Sequence, residues 1–332
     1  MVNETIVLVI LIILILFKLY FTSKESIVFS APYLVKEYKK NDIIYSKKNK
    51  TLMKDGKKLS TKTQLNKLSS NKIASSKSDT SKLLQSYNIP VPKFLKWDNS
   101  KSRNYNIELI NKLRYPLVVK PIDGTQGKDV FLDLNSINQV LDKIEYLLNK
   151  NRDIIIEEQI KGENYRILIL NNEIIDILHR QKPNIIGDGK HNIKELIDNY
   201  NIIQKKNKNY PITNINYELL NGQGLKLESV PTKGRKIIIS NVCNYHNGSK
   251  VARIPIQYVH PDNLEMFKKI NKVIDLNLSG IDYMSTDITK SYKQGNGYIN
   301  EVNKGPDMKI HYVCDPKYSS SIIQKFVFNL FK

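Results

Sequence analysis

Apolar residues are arranged in two ways along the chain after residue 70. Short runs rich in Ile and Val, bounded by turn residues, alternate with longer stretches in which apolar positions recur every three or four residues. The short runs predict strands over residues 117–120, 154–158, 165–170, 174–178, 236–242 and 298–302. The longer stretches predict helices over residues 136–149 and 264–276. Alternation of the two is typical of an α/β or α+β fold.

The N-terminus has a different pattern, because residues 6–17 form an unbroken apolar run that residues 19–21 extend beyond Lys18. A bilayer core of about 30 Å requires about 20 helical residues, so residues 5–21 fit a short transmembrane helix. A secretory signal peptide is the alternative, but no cationic residue precedes the run and no clear cleavage site follows it. Glu4 precedes the run and lysines follow it, which predicts a single-pass protein with its bulk in the cytosol.

Residues 23–69 are rich in Lys and Ser and only weakly periodic. We interpret them as a basic juxtamembrane linker. Each lysine near an anionic leaflet adds about 1 kcal/mol of attraction, so the linker is expected to lie along the membrane, with a solvated tether as the alternative. The predicted organisation is therefore an anchor at residues 1–22, this linker, and a globular domain over residues 70–332.

The charge balance is strongly basic, with 52 Lys and Arg against 32 Asp and Glu and a formal net charge of +20. Such a balance favours anionic partners such as ATP, an anionic membrane or a nucleic acid. The lysines are scattered rather than gathered in one stripe, which argues against a dedicated nucleic-acid site. Cys243 and Cys314 are the only cysteines, so neither a disulfide framework nor a cysteine metal site is predicted.

A lysine and two glycines mark a possible phosphate site. Lys120 ends a predicted strand, and Gly124 and Gly127 follow in the sequence VVKPIDGTQGKDV. Glycines allow backbone N–H groups to approach anionic oxygens, and the lysine supplies positive charge. This is neither a P-loop nor a dinucleotide-binding fingerprint, so an ordinary hairpin turn is the alternative.

Acidic residues end two further predicted strands. Glu157 and Glu158 follow an apolar run, which suggests the edge of a cleft, although strand-end glutamates are usually solvated. Asp287 precedes a loop and a strand that ends with Glu301 and Asn303. Glu301 and Asn303 share one face of that strand, and carboxylate and amide oxygens are the ligands that Mg²⁺ prefers. An ion-paired strand end is the alternative.

In this order, the motifs resemble the ATP-grasp superfamily, and most closely the ATP-grasp domain of cyanophycin synthetases and related peptide-forming ligases. The resemblance covers residues 69–331 and includes the segments KSDTSKLLQSYNIPVP, YPLVVKPIDGTQGKDV, HRQKPNIIGDGKHNIKELI, VHP, GIDYMSTDI and INEVNKGPDMKIH. It implies an ATP-grasp fold, α+β or α/β, in which two α+β subdomains grip ATP after the N-terminal transmembrane helix. A lid subdomain at about residues 115–180 would be inserted in the larger core.

The resemblance also implies roles for individual residues. The nucleotide-binding residues would be Lys77, Lys120, the loop residues Gly124, Thr125, Gln126, Gly127 and Lys128, the hinge residues Glu157, Glu158, Gln159 and Ile160, and Glu163 or Asn164 near the ribose. Arg166 and Arg180 are similar to the catalytic cations that steady the triphosphate or an acyl phosphate. Asp287, Glu301 and Asn303 match the ligands of Mg²⁺ or, alternatively, Mn²⁺.

The implied activity is ADP-forming ligation, in which ATP activates a small carboxylate as an acyl phosphate and an amine of an amino acid or peptide attacks it. A small-molecule kinase would use the same phosphate machinery and is one alternative. A catalytically inactive, membrane-tethered nucleotide-binding protein is another, because Asn164 replaces an acid of the family, and Asp129 and Asp307 replace glycines. Residues 238–250 also match only part of an Arg- and Asn-rich family motif, so an arginine near the reacting centre is in question.

Overall fold

The structure, a computed structural model, describes residues 29–61, 65–124, 128–207, 209–314 and 316–332. The anchor predicted at residues 5–21 lies outside them and stays a prediction. Among the helices within those ranges, none combines the length and the apolar character needed to cross a bilayer.

The described residues form ten α-helices and fourteen strands. The helices are α1 (Pro32–Lys40), α2 (Leu68–Ala74), α3 (Lys77–Ser86), α4 (Arg103–Ile110), α5 (Ile137–Leu148), α6 (Ile193–Lys206), α7 (Tyr217–Gly222), α8 (Pro261–Ile274), α9 (Met308–Val313) and α10 (Pro316–Asn329). The strands are β1 (Ile44–Ser46), β2 (Thr51–Lys54), β3 (Lys57–Ser60), β4 (Phe94–Lys96), β5 (Leu117–Pro121), β6 (Phe131–Leu134), β7 (Ile154–Glu158), β8 (Glu163–Leu170), β9 (Glu173–Gln181), β10 (Asn184–Ile186), β11 (Lys236–Ile238), β12 (Lys250–Arg253), β13 (Leu278–Ser285) and β14 (Gly297–Asn303).

An antiparallel sheet of five strands, in the order β12-β9-β8-β13-β14, forms the centre of the molecule. Successive side chains of a strand point to opposite faces. On one face, Ile167 and Ile281 pack in a core with Phe267 and Ile270 of α8. The other face is apolar at one end, whereas its other end carries the polar side chains described below as the candidate site.

The lid (residues 94–124 and 128–158) is a second antiparallel sheet, in the order β4-β7-β5-β6. Ser136 caps α5 by accepting a hydrogen bond from the Gln139 amide, and the helix buries Val140, Ile144 and Leu147 in the lid core. The lid therefore differs from the predicted span of about 115–180. The reason is pairing, because β8 and β9 hydrogen-bond to β13 and β12 in the central sheet.

The N-terminal module (residues 29–61) is folded, so the predicted basic linker does not hold over these residues. It consists of α1 and the antiparallel sheet β1-β2-β3. Leu34, Tyr38 and Leu52 are buried in a core shared with Leu168 of β8 and Phe326 of α10. The lysines of this segment are exposed or half-buried. The apolar residues between them are few, but they are sufficient to pack the module against the central body.

A third lobe (residues 182–207 and 209–249) lies between β9 and β12 in the chain. Its two-stranded sheet, β10-β11, packs with α6 and α7 around Ile185, Ile193 and Ile237. Asn192 and Glu195 form a capping box at the start of α6. The strand predicted over residues 236–242 ends at Ile238, and the segment beyond it turns toward the cleft between the two larger sheets.

Candidate functional site

A cleft of about 430 Å³ separates the lid sheet from the central sheet. Val118 and Lys120 of the lid line one wall, and Asp282 and Glu301 of the central sheet line another. The hinge (residues 159–162) connects the two sheets and also lines the cleft. The volume of the cleft is in the range of pockets that bind small molecules and cofactors.

Two lysines bring positive charge into this cleft. Lys120 Nζ lies 2.6 Å from Glu157 Oε2, and both side chains are almost fully buried. Lys77, at the start of α3, donates from Nζ to the Gly124 carbonyl at 2.6 Å and lies 3.2 Å from Glu301 Oε1. Lys77 therefore joins the glycine loop of the lid to the last strand of the central sheet.

Asp282 is buried within β13, between two arginines. Its Oδ1 lies 2.6 Å from Arg166 Nε, and its Oδ2 lies 2.6 Å from Arg180 Nη2. Burial opposes ionisation of Asp282, but the two arginines outweigh that effect and hold its pKa below the usual range. Gly280 makes room for this arrangement, because a Cβ there would lie 2.8 Å from Arg166 Nη1. Asp282 is therefore a carboxylate with charge-compensating partners at the cleft wall.

Arg180, which was predicted as a catalytic residue, brings an arginine side chain to the cleft. Its side chain lines the cleft, and its Nε donates to Asn164 Oδ1 at 2.6 Å. Asn164, which replaces an acid of the family, thus holds Arg180 in place through its amide oxygen. Arg166 is more deeply buried, does not line the cleft, and contacts the cleft residue Asp282, so the structure places it behind the cleft wall.

Asp282, and not Asp287, stands opposite Glu301. The register of β13 and β14 pairs Asp282 with Glu301, and both side chains line the cleft. Asp287 lies beyond the end of β13, where its Oδ1 accepts hydrogen bonds from the amide and hydroxyl of Thr289. These hydrogen bonds and nearby Lys290 lower its pKa. Asp287 is thus removed from the predicted metal set, because its carboxylate caps a loop outside the cleft.

The residues that remain can supply oxygen ligands for a divalent cation. Paired positions on antiparallel strands hold their Cβ atoms about 5 Å apart, and Asn303 follows Glu301 on the same face of β14. The side-chain nitrogen of Asn303 is buried without a hydrogen-bond partner within the described part of the chain. Among the described residues, no group of three or more His, Cys, Asp or Glu side chains is placed to hold a metal ion. A Mg²⁺ site here would use two carboxylates, Asp282 and Glu301, and the amide oxygen of Asn303.

The hinge region is fixed by a second carboxylate. Glu158 accepts hydrogen bonds from the backbone N and the guanidinium of Arg114. Burial raises the pKa of Glu158, but these hydrogen bonds more than offset it, and the net pKa is lowered. Gly162 has a φ of +144°, and a Cβ there would lie 2.7 Å from the carbonyl carbon of Ser285. The hinge therefore crosses the end of β13 at a distance that only glycine permits.

The remaining predicted residues have mixed positions. Gln159 and Ile160 line the cleft with Glu157 and Glu158. Glu163 does not line it but is exposed at the start of β8, where it lies 2.6 Å from His179 Nε2. Lys128 and Asn303 are also absent from the cleft lining. Asn303 stays in the predicted metal set through its place on the same face of β14 as Glu301. Thr125, Gln126 and Gly127 lie outside the described residues.

Several cleft residues were not predicted from the sequence. Asp282 is one, and the available signal was an acid within the mixed segment LSGIDYMS. A buried acid costs stability unless charged partners compensate for it. The third lobe adds Lys182, Asn241 and Cys243, and β6 adds Asp133. Burial raises the pKa of the Cys243 thiol to about 11, so the thiol is neutral at physiological pH. No local pattern marks Lys182, Asn241, Cys243 or Asp133.

The two-sheet cleft can now be compared with known proteins. Residues 74–208 match the family model of the RimK-like ATP-grasp domain. The chain carries an ATP-grasp domain. This ATP-grasp domain is 31% identical over 257 residues to cyanophycin synthetase of Crocosphaera subtropica, an alignment that covers 72% of this chain and 28% of that protein. It is 28% identical over 276 residues to the glutathione biosynthesis bifunctional protein GshAB of Clostridium perfringens, covering 80% and 35%. The chain thus spans about a third or less of the length of these relatives.

Solved structures show the same fold. A bifunctional glutathione synthetase from Pasteurella multocida superposes on the ATP-grasp domain with a TM-score of 0.61 and 18% identity, covering 92% of this chain and 45% of that one. D-alanine–D-alanine ligase from Bacillus anthracis gives a TM-score of 0.51 and 16% identity, covering 80% and 68%. The predicted ATP-grasp α+β fold is confirmed.

Proposed function

We propose that this ATP-grasp domain is an ATP-dependent carboxylate–amine ligase that forms a peptide-type bond and releases ADP. The observation that carries the proposal is the convergence, in one cleft, of Lys120 and Arg180 with the Asp282 and Glu301 carboxylates. A carboxylate oxygen of the substrate would attack the γ-phosphorus of ATP and expel ADP. The amine nitrogen of the second substrate would then attack the acyl carbon, and phosphate would leave as the amine loses its proton.

Each residue has a physical task in this proposal. Lys77 and Lys120 neutralise phosphate charge, and Arg180 faces the position where charge develops on the transferring group. Asp282, Glu301 and Asn303 would hold Mg²⁺, which neutralises the negative charge of the polyphosphate when it is bound. The lid and the third lobe border the cleft, and they would exclude the water that hydrolyses an acyl phosphate.

The relatives and the cleft walls support a proposal for the substrate class. The relatives are named for the synthesis of cyanophycin, glutathione and D-alanyl-D-alanine, and we propose amino acids or short peptides for this chain as well. The third lobe supplies Lys182 and Asn244 to the wall. A lysine ammonium and an amide group suit the carboxylates and amides of such substrates.

We also retain, from the sequence, the proposal that residues 5–21 anchor the domain to a membrane on its cytosolic side. Fractionation of cells that express the full chain tests it, since an anchored protein stays in the membrane pellet after an alkaline carbonate wash. Release into the supernatant would contradict the proposal.

The activity is tested by measuring ADP and phosphate release by the full chain with MgATP and panels of amino acids and dipeptides. Release should require a carboxylate and an amine together, and mass spectrometry should detect the amide product. A Glu301→Gln variant serves as the control for contaminating ATPases. ADP release with a hydroxyl compound and no amine would instead favour the small-molecule kinase, and release that survives in the variant would contradict both.

A further inference from the structure

Asn241 of the third lobe reaches across the cleft to the lid. Its Nδ2 donates a hydrogen bond to Oδ2 of Asp133 on β6, at 2.6 Å. Its Oδ1 accepts a hydrogen bond from Lys182 Nζ at 2.8 Å. One amide side chain therefore connects the segment after β11 with both the end of β9 and the lid.

Asp133 is itself fixed in orientation. Its backbone N donates to Oε1 of Gln159 at 2.6 Å, and Gln159 Nε2 donates to Asp133 Oδ1 at 2.8 Å. The φ of Asp133 is +58°, in the left-handed region that non-glycine residues rarely adopt, and these hydrogen bonds support it. Lys182, Asn241, Asp133 and Gln159 thus form a continuous row from the third lobe through the lid to the hinge, and all four line the cleft.

We propose that Asn241 is a positioning residue that latches the lid onto the third lobe and so limits the rate at which nucleotide leaves the cleft. If the lid swings away about the hinge, the hydrogen bond from Asn241 to Asp133 has to break. The hydrogen bond from Lys182 to Asn241 lies outside the lid, and Gln159 is in the hinge next to the lid, so these contacts need not break. A hydrogen bond to a carboxylate is stronger than one between neutral groups, which makes this contact an effective latch. The contact from Lys77 to Gly124 also joins the lid to the body, but through a residue already assigned to phosphate. The inference rests on the proposed binding of nucleotide in this cleft.

The test measures dissociation of a fluorescent ADP analogue, with Mg²⁺, from the full chain by stopped-flow fluorescence. Asn241→Ala removes the latch and should speed release about tenfold. Asn241→Asp is nearly isosteric and keeps an acceptor for Lys182, but it places a second carboxylate against Asp133, so release should be at least as fast as in Asn241→Ala. The matched control is Asn135→Ala, which removes an asparagine that donates to the Asp133 carbonyl within the lid and does not bridge the cleft.

A second measurement does not depend on nucleotide. Hydrogen exchange in the free full chain should show faster exchange across β6 in Asn241→Ala than in the wild type and in Asn135→Ala. Wild-type release rates in Asn241→Ala would overturn the latch, as would wild-type rates in Asn241→Asp, because then only the contact with Lys182 would matter. If the wild type binds no nucleotide, the proposed function fails, and unchanged exchange of β6 in Asn241→Ala would then overturn the latch as well.

Discussion

Asp282 lies directly opposite Glu301 in the register of two antiparallel strands, and both carboxylates face the cleft. The two groups have different neighbours, since Asp282 is held by two buried arginines and Glu301 by Lys77. Asp282 is therefore also part of the buried framework, whereas Glu301 has a single lysine partner and a side chain that is 29% exposed. Glu301 is the better position at which to test metal binding without disturbing the fold.

We expect Glu301→Gln to lower Mg²⁺-dependent turnover about 100-fold or more, because a charged ligand of the transferring phosphate's cation is lost. Asp287→Asn is the matched control, since its carboxylate caps a loop outside the cleft. Steady-state ADP release at saturating ATP is the measurement. Equal losses in the two variants would show that the assignment of Asp282 over Asp287 is wrong.

The buried pair of Lys120 and Glu157 allows binding to be separated from stability. Lys120→Met leaves the Glu157 carboxylate buried without its partner, so we expect a loss of about 3–5 kcal/mol in the free energy of unfolding. In the double variant Lys120→Met/Glu157→Leu, stability should largely recover, but affinity for ATP should not. Urea unfolding and nucleotide titration measure the two properties. If the double variant recovered both its stability and its affinity for ATP, Lys120 would not be a phosphate-binding residue.

Gly162 is a further position with a defined steric requirement. Gly162→Ala adds a Cβ against the Ser285 backbone as well as backbone strain, whereas Gly234→Ala, with a φ of +84° and nothing within 4 Å, adds strain alone. We expect a loss of about 1–2 kcal/mol for Gly234→Ala and a larger loss for Gly162→Ala. Thermal unfolding compares them. Similar melting temperatures would mean that the hinge can move away from β13 without penalty.

Glu158 should make stability depend on pH. Its folded pKa is lowered by Arg114, so its contribution is fully present above the unfolded pKa and is lost as pH falls through the folded pKa. Glu158→Gln should therefore be less stable than the wild type at pH 7, and the difference should shrink below pH 4.5, the ordinary pKa of a glutamate. Urea midpoints at a series of pH values measure this, with exposed Glu108→Gln as the control. A difference that is constant with pH would contradict the assignment.

The N-terminal module offers a test of the boundary between linker and domain. Leu52 is fully buried against the central body, whereas its neighbour Met53 is 40% exposed. Leu52→Ala should reduce the free energy of unfolding by about 2–5 kcal/mol, and Met53→Ala by about 0.5 kcal/mol or less. Cooperative unfolding of the full chain is the readout. If Leu52→Ala reduces the free energy of unfolding as little as Met53→Ala does, the module contributes nothing to the stability of the domain.

The regular apolar patterns predicted much of the fold. Residues 117–120, 154–158, 165–170, 174–178 and 298–302 all lie within observed strands, and both predicted helices are present. Strand β13 was not predicted, because LSGIDYMS mixes Gly, Ser and Asp with apolar residues and shows no clear alternation. The two faces of this strand explain its mixed composition. One face packs on α8, and the other places Asp282 in the cleft. This strand, which was not predicted, therefore holds the cleft carboxylate that the sequence analysis did not single out.

The contacts between lobes could not be predicted, for a different reason. Asn241 and Asp133 are far apart in the chain, and nothing in the local sequence of either indicates its partner. Such pairs depend on how the lobes are placed, and periodicity describes only the elements within each lobe.

Lys77 and Glu301 come from opposite ends of the described domain, yet they meet at one point of the cleft. Closing so long a loop is slow, and its entropy must be overcome before the contact contributes. On the ribosome, the lid could therefore fold early, while the capacity to hold a nucleotide would appear only after β14 has emerged. Binding of a nucleotide would therefore indicate that synthesis has passed β14.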